Sequence, residues 1–187
     1  VEFSKREELE RWLEIKPSEW AVVIAARAGL RALPMLATAL KPAGAITGER
    51  HKIVLPIFRG IAAPWCAGTW PGRDIDQGVF GSAADAAYAA ANTASHASSA
   101  AAAAAAFSTA EAAAAAAYAS AFAYAANASA VAATAAGYNG GYVWTAISAD
   151  ATALESDSDL YERPNALALK ELWPAGIPAR IARNWSK

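Results

Sequence analysis

Few side chains in the sequence could carry out proton transfer or nucleophilic attack. The two histidines, His51 and His96, have no pair of acidic residues at helical spacing that would tune them as acid or base. The single cysteine, Cys66, would need a nearby base or cation to become a thiolate, and His51 could serve only if the fold brought it there. We therefore expect no catalytic residues, and an enzyme that uses His51 or His96 is the least supported alternative.

Metal and phosphate sites are not predicted either. Asp74 and Asp76 lie two residues apart in a loop with flanking glycines, but their surroundings supply too few further ligands for a calcium loop. One cysteine cannot by itself build a tetrahedral zinc site, and no glycine-rich phosphate loop or nucleotide fingerprint occurs. The expectation is a protein without a metal ion or cofactor.

Two sets of polar residues follow helical spacing and could line a cleft. The first comprises Tyr88, Asn92, Ser95, His96 and Ser99, and the second Ser120, Tyr124, Asn127 and Thr134. One interpretation is a ligand-binding seam in which His96 accepts a proton. The favoured alternative is that these are uncharged solvent faces, or buried hydroxyls that donate to carbonyls one turn earlier.

Tryptophans in irregular segments are the other candidates for recognition. Trp65 and Trp70 fall in a stretch rich in Pro and Gly, where a large ring either covers the shallow surface of small-residue helices or anchors a partner. The partner-binding candidates are Trp65, Trp70, Tyr88, Asn92, His96 and Tyr124.

The elements that would position these residues are dominated by alanine. Of 187 residues 55 are Ala, and 34 of these lie among the 55 residues from 82 to 136. Alanine has the highest helix propensity, and one helix of that length would reach roughly 80 Å at 1.5 Å per residue, too long for a compact chain. Capping-box patterns at Ser82 and Ser108 and a terminating Gly137 predict two antiparallel helices, about 83–106 and 109–136.

Shorter helices are predicted on both sides of this hairpin. A capping box at Ser4–Glu7 opens an amphipathic helix that ends before Pro17, and a second helix carries a buried stripe until Pro34 interrupts it. Arg27 and Arg31 lie one turn apart on that helix. Further helices are expected around Pro56 with a kink, over 142–154 and over 165–172. The prediction is one all-α domain over 1–187, with amphipathic helices in 1–61, a Trp/Gly/Pro loop in 62–81, the hairpin in 82–136, and C-terminal helices and a tail in 142–187.

The predicted hairpin carries almost no charge, since Glu111 is the only charged residue from Ala86 to Ala149, and any function of the hairpin has to account for this. The favoured interpretation is that the two helices form the centre of an all-α helical bundle. An exposed face for association with itself or with a partner protein is second. Membrane insertion is not expected, because residues 82–130 contain no Leu, Ile or Val, the side chains that favour insertion. Ice binding is disfavoured because Thr93, Thr109 and Thr134 form no regular row.

Charge and cysteine content bound the remaining possibilities. The chain carries 16 basic and 17 acidic residues, so it has no net positive electrostatic potential that would attract a polyanion. Nucleic-acid binding is therefore not expected. The charged N-terminal residues lack the apolar run of a signal peptide, and one cysteine fits a reducing compartment, so we expect a cytoplasmic protein.

The segments Trp20–Arg27 and Arg31–Leu36, the Ala-rich run and Trp144–Asp150 together resemble Ala-rich bacterial proteins, some of which are similar to immunity proteins of toxin systems. This resemblance implies a helical protein that binds and neutralises a partner, with no catalytic residues to transfer. The near-neutral charge departs from the acidic character expected of an inhibitor of a basic nuclease. The leading hypothesis is a non-enzymatic protein-interaction protein of an immunity or antitoxin-like kind, and the alternative is a self-assembling structural protein that uses its Ala-rich faces.

Overall fold

The structure, a computed structural model, describes residues 1–39, 50–69, 82, 84–87, 122–173, 176, 179 and 182. The helices of this part are α1 (Arg6–Leu13), α2 (Ser18–Ala39), α3 (Arg50–Thr69), α4 (Phe122–Ala135), α5 (Gly141–Ser156), α6 (Ser158–Glu162) and a 3-10 helix (Pro164–Leu169). The described residues contain no strand. The prediction of an all-α fold is confirmed.

Helix α2 is enclosed by its neighbours, because it packs against α1, α3, α4, α5 and the 3-10 helix. Its buried residues point in every direction around the helix and include Trp20, Ile24, Ala28 and Met35. A helix that is apolar all round is stable only when it is surrounded by protein or lipid. Small residues at the crossing with α4 bring the two helices close, and the buried Ser129 hydroxyl lies 2.8 Å from the Ala28 carbonyl oxygen.

The first helix ends before Pro17 as predicted, but two other prolines lie inside helices where the sequence predicted a break or a loop. Helix α2 continues through Pro34 to Ala39, and α3 runs through both Pro56 and Pro64 to Thr69. The prediction that Pro34 interrupts α2 is therefore wrong, and so is the start of the loop at residue 62. An internal proline removes one hydrogen bond and costs about 3 kcal/mol. Burial of the surrounding helix faces offsets that cost, and Pro34 and Pro64 are themselves buried.

The C-terminal half of the predicted second arm, about 109–136, is present as α4 (Phe122–Ala135). It ends as expected at Gly137, whose φ of 78° lies in the left-handed region. The Tyr138 N–H donates to the Ala133 carbonyl at 2.8 Å and the Gly137 N–H to the Thr134 carbonyl at 2.9 Å, the pattern of a Schellman stop. Residues 82 and 84–87 are helical, as the predicted first arm requires. The rest of the first arm, to about 106, and the start of the second arm, from about 109 to 121, lie outside the described residues.

Two further details differ from the sequence prediction. At the start of α1 the Ser4 backbone N–H donates to Glu8 Oε2 at 2.8 Å, so Glu8 rather than Glu7 is the acid that answers Ser4. Near the C-terminus the predicted helix over 165–172 is instead a 3-10 helix that ends at Leu169, and it is preceded by the short α6, which the sequence did not predict. The Asp157 carboxylate accepts the Asp159 and Leu160 N–H groups and so starts α6 as its N-cap.

Candidate functional site

Two of the six predicted partner-binding residues lie in the described part of the chain. Trp65 is half-buried and belongs to the last turns of α3 rather than to a loop. Tyr124, on α4, is half-buried and packs against Ala32 and Ala128. Trp70, Tyr88, Asn92 and His96 lie outside the described residues, so whether the six come together stays a prediction.

The polar strip on α4 is partly explained by local hydrogen bonding. The exposed Thr134 hydroxyl donates to the Ala130 carbonyl at 3.1 Å, one turn earlier. Thr134 thus lies on an uncharged solvent face, and its hydroxyl bonds back to the helix although it is not buried. Asn127 is half-buried on the same helix.

Three charged side chains that sequence reasoning did not combine form the most buried polar cluster of the described residues. Arg27 and Arg31 of α2 and Asp150 of α5 are each at most 1% exposed. Arg27 donates from Nε and Nη2 to the two Asp150 carboxylate oxygens, both at 3.0 Å. Arg31 Nη2 lies 2.7 Å from Asp150 Oδ2. The cluster therefore carries one net positive charge without contact to solvent.

The same arginines hold the chain that follows the 3-10 helix. Arg27 donates to the carbonyl oxygens of Leu167, Lys170 and Glu171, at 2.8, 3.0 and 2.6 Å. Arg31 donates to the Leu172 carbonyl from Nε at 3.0 Å and from Nη2 at 2.8 Å. Five guanidinium hydrogen bonds thus satisfy carbonyl groups in a segment that has little regular secondary structure of its own.

Burial lowers the pKa of Arg31, and the neighbouring Arg27 lowers it further, while the charge of Asp150 opposes the shift. Nη1 of Arg31 is buried and makes no hydrogen bond to the described residues. The three side chains are closed off from solvent, so a substrate cannot reach them. Their role in the geometry is to position α2, α5 and the segment 167–172 relative to each other.

A second cluster lies at the surface, where the turn between α1 and α2 meets the end of α5. The Lys16 ammonium is 2.7 Å from Glu155 Oε1 and lies 5.2 Å and 5.3 Å from the ring centroids of Trp12 and Trp20. Trp12 Nε1 donates to the same carboxylate oxygen at 2.9 Å. The hydrogen bonds from Lys16 and then from Trp12 lower the pKa of Glu155. We call Trp12, Trp20 and Glu155, with Lys16 in place, the ammonium site.

The turn end of the α4–α5 pair presents a surface without charge. Every exposed residue of the described chain from 131 to 145 is uncharged. Apart from two glycines they are Val131, Thr134, Asn139, Tyr142 and Thr145. Val131 and Tyr142 are 47% and 49% exposed. We call this the uncharged hairpin surface, where the hairpin is the α4–α5 pair and not the predicted pair of helices within 82–136.

Two possible kinds of site are not found in the described part of the chain. Its His, Cys, Asp and Glu residues form no group of three that could hold a metal ion. Among its helices none is both long enough and apolar enough to cross a bilayer. A comparison of the chain with family models, with curated proteins and with solved structures gave no match.

Proposed function

We infer that the protein acts by binding another protein, without catalysis of its own, in the manner of an immunity or antitoxin component. The observation that carries this proposal is the uncharged hairpin surface. Water-exposed helices normally carry charged residues, whereas the cores of protein interfaces are depleted in charge and enriched in Tyr. Exposed surfaces of this kind mark sites of association.

The fold supports the proposal through rigidity at the turn. The Schellman stop at Gly137 and the close approach of Gly140 to the Ala130 carbonyl fix how α5 leaves α4. A Cβ atom added at Gly140 would lie 2.7 Å from that carbonyl oxygen. A preorganised surface binds with less loss of conformational entropy than a flexible one.

The proposal is tested by partner capture followed by a quantitative comparison of variants. The tagged chain is used to isolate a partner from cells, and the purified pair is titrated by calorimetry. Val131→Glu should weaken binding at least tenfold, because it places a charge in the centre of the interface. Leu169→Glu, which adds the same charge at an apolar side chain 74% exposed outside this surface, should bind like the wild type.

Light scattering separates this function from its alternative. A monomer of 19.3 kDa that captures a partner agrees with the proposal. A defined oligomer that Val131→Glu converts to monomer would replace it with self-assembly through the same surface. Equal affinities for Val131→Glu and the wild type would overturn the assignment of the surface.

A further inference from the structure

The ammonium site has the composition of a receptor for a cationic side chain. Two indole rings offer their π faces at a little over 5 Å, and one carboxylate supplies a direct ion pair at 2.7 Å. Aromatic faces combined with a carboxylate favour an alkylammonium group. In the structure that group belongs to the chain itself, because Lys16 occupies the site.

The walls of the site are fixed independently of Lys16. Trp20 is fully buried. Its ring centroid lies 5.5 Å from that of Trp12 and 5.5 Å from that of Tyr161, which it meets edge-on. Trp12 also meets Phe3 edge-on at 5.6 Å. The Trp12 indole N–H holds Glu155 in place. Removal of the Lys16 ammonium therefore leaves the rings and the carboxylate supported by other contacts.

Lys16 itself is attached in a way that permits its side chain to leave. It lies in the turn between α1 and α2, and its backbone N–H donates to the Leu13 carbonyl at 3.0 Å whatever its side chain does. The Lys16 side chain is 20% exposed and that of Glu155 is 35% exposed. Water thus reaches the ion pair, and exchange of one ammonium for another needs no opening of the core.

The surroundings of the site favour an incoming cation with an apolar neighbour. Of the four acidic residues from Glu155 to Glu162, Asp157 and Asp159 are paired with Lys170 and Arg163, which leaves Glu155 as the carboxylate that an ammonium group at this site would meet. Next to Lys16 in sequence, Ile15 is 79% exposed, and Tyr161 is 58% exposed at the edge of Trp20. A cation with an apolar neighbour would therefore meet both the Glu155 carboxylate and these exposed apolar side chains.

The geometry points to the ammonium site as a recognition site for a lysine side chain of a bound protein, with Lys16 as the intramolecular occupant that this lysine displaces. The incoming ammonium regains the Glu155 ion pair and both indole faces, and the partner gains contact with Ile15. This inference rests on the proposed function, because it takes the ligand to be part of a protein. Lys16 acts as a tethered competitor that weakens binding of any other ammonium.

The test uses a small probe and so needs no knowledge of the partner. N-acetyl-lysine methylamide is titrated into ¹⁵N-labelled protein, and the Trp12 indole N–H signal, assigned with Trp12→Phe, reports binding beside Glu155. Lys16→Gln should bind the probe at least tenfold more tightly than the wild type. Lys5→Gln is the matched control and should behave like the wild type, because Lys5 is 61% exposed and lies 4.0 Å from Glu8.

Two results would overturn the inference. One is that Lys16→Gln and Lys16→Ala, both folded by circular dichroism, bind the probe no more tightly than the wild type. The other is that the tighter binding persists when Glu155→Gln is added to Lys16→Gln. If the chain still captures its partner through the uncharged hairpin surface, either result would refute lysine recognition at the ammonium site. The proposed function would then stand.

Discussion

Replacement of Asp150 by Asn tests the buried cluster directly. The substitution keeps the shape of the side chain but removes the only carboxylate facing Arg27 and Arg31 among the described residues. Three guanidinium contacts within 3.0 Å lose their charge partner. The new amide nitrogen also points hydrogens at a guanidinium group. Because both groups are hydrogen-bond donors, this contact is repulsive.

The size of the expected stability loss for Asp150→Asn follows from the burial of the three side chains. All three residues are at most 1% exposed, so water cannot solvate the two arginines once Asp150 is neutral. Breaking a buried ion pair by removing one partner costs about 3–5 kcal/mol. That is a large part of the roughly 5–15 kcal/mol by which domains are stable. With a slope of about 2 kcal/mol per molar, the urea midpoint should fall by about 2 M.

The assay is urea unfolding followed by circular dichroism and tryptophan fluorescence. Glu162→Gln is the control, because it neutralises an exposed carboxylate and should change the free energy of unfolding by less than about 0.5 kcal/mol. The double variant Arg31→Met/Asp150→Asn restores the net charge of the cluster. The double variant should therefore lose about 0.5–3 kcal/mol less free energy of unfolding than the two single variants lose together. A loss for Asp150→Asn below about 1 kcal/mol, or strict additivity, would refute the reasoning.

Three further predictions concern the helix crossing, the hairpin turn and the surface ion pair. Ser129→Ala should cost about 1 kcal/mol in urea unfolding, because it removes the buried hydroxyl that lies 2.8 Å from the Ala28 carbonyl across the crossing and 2.8 Å from the Ala125 carbonyl one turn earlier. Gly140→Ala should lower the thermal midpoint, since its Cβ would lie 2.7 Å from the backbone oxygen of Ala130. Because the pKa of Glu155 is lowered in the folded protein, its stabilising effect is present above its ordinary value of 4.5 and is lost as pH falls through the lower folded value. Between pH 5 and 3 the wild type should therefore lose more stability in urea unfolding than Glu155→Gln.

Each of these predictions has a matched control. Ser156→Ala removes an exposed hydroxyl that also donates to a carbonyl one turn earlier, and its effect should be smaller than that of Ser129→Ala. Gly141→Ala meets only the Asn139 side chain, at 3.1 Å, and should be milder than Gly140→Ala. Glu162→Gln should leave the acid dependence of the wild type unchanged. Equal effects within any pair would contradict the contact on which that prediction rests.

The candidate sites were only partly predictable from the sequence. Arg27 and Arg31 stand one turn apart in an apolar helix, and Asp150 is the only charged residue between Glu111 and Glu155. Isolated charges in apolar helices need a partner when buried, and this signal could have suggested the cluster. The ammonium site gave no comparable signal, because Lys16 and Glu155 look like ordinary solvated charges in the sequence.

Because helix propensity, caps and stops are local, the sequence by itself determined most of the helical segments of the described chain, but not residues 62–69 or α6. Gly137 ends α4 through a conformation that depends only on its own backbone and its neighbours. Tertiary structure decided that α2 and α3 continue through their prolines and that Arg27 meets Asp150, 123 residues away. Both outcomes depend on burial by distant elements, whose packing energy outweighs local preference and has no signature in any single window of sequence.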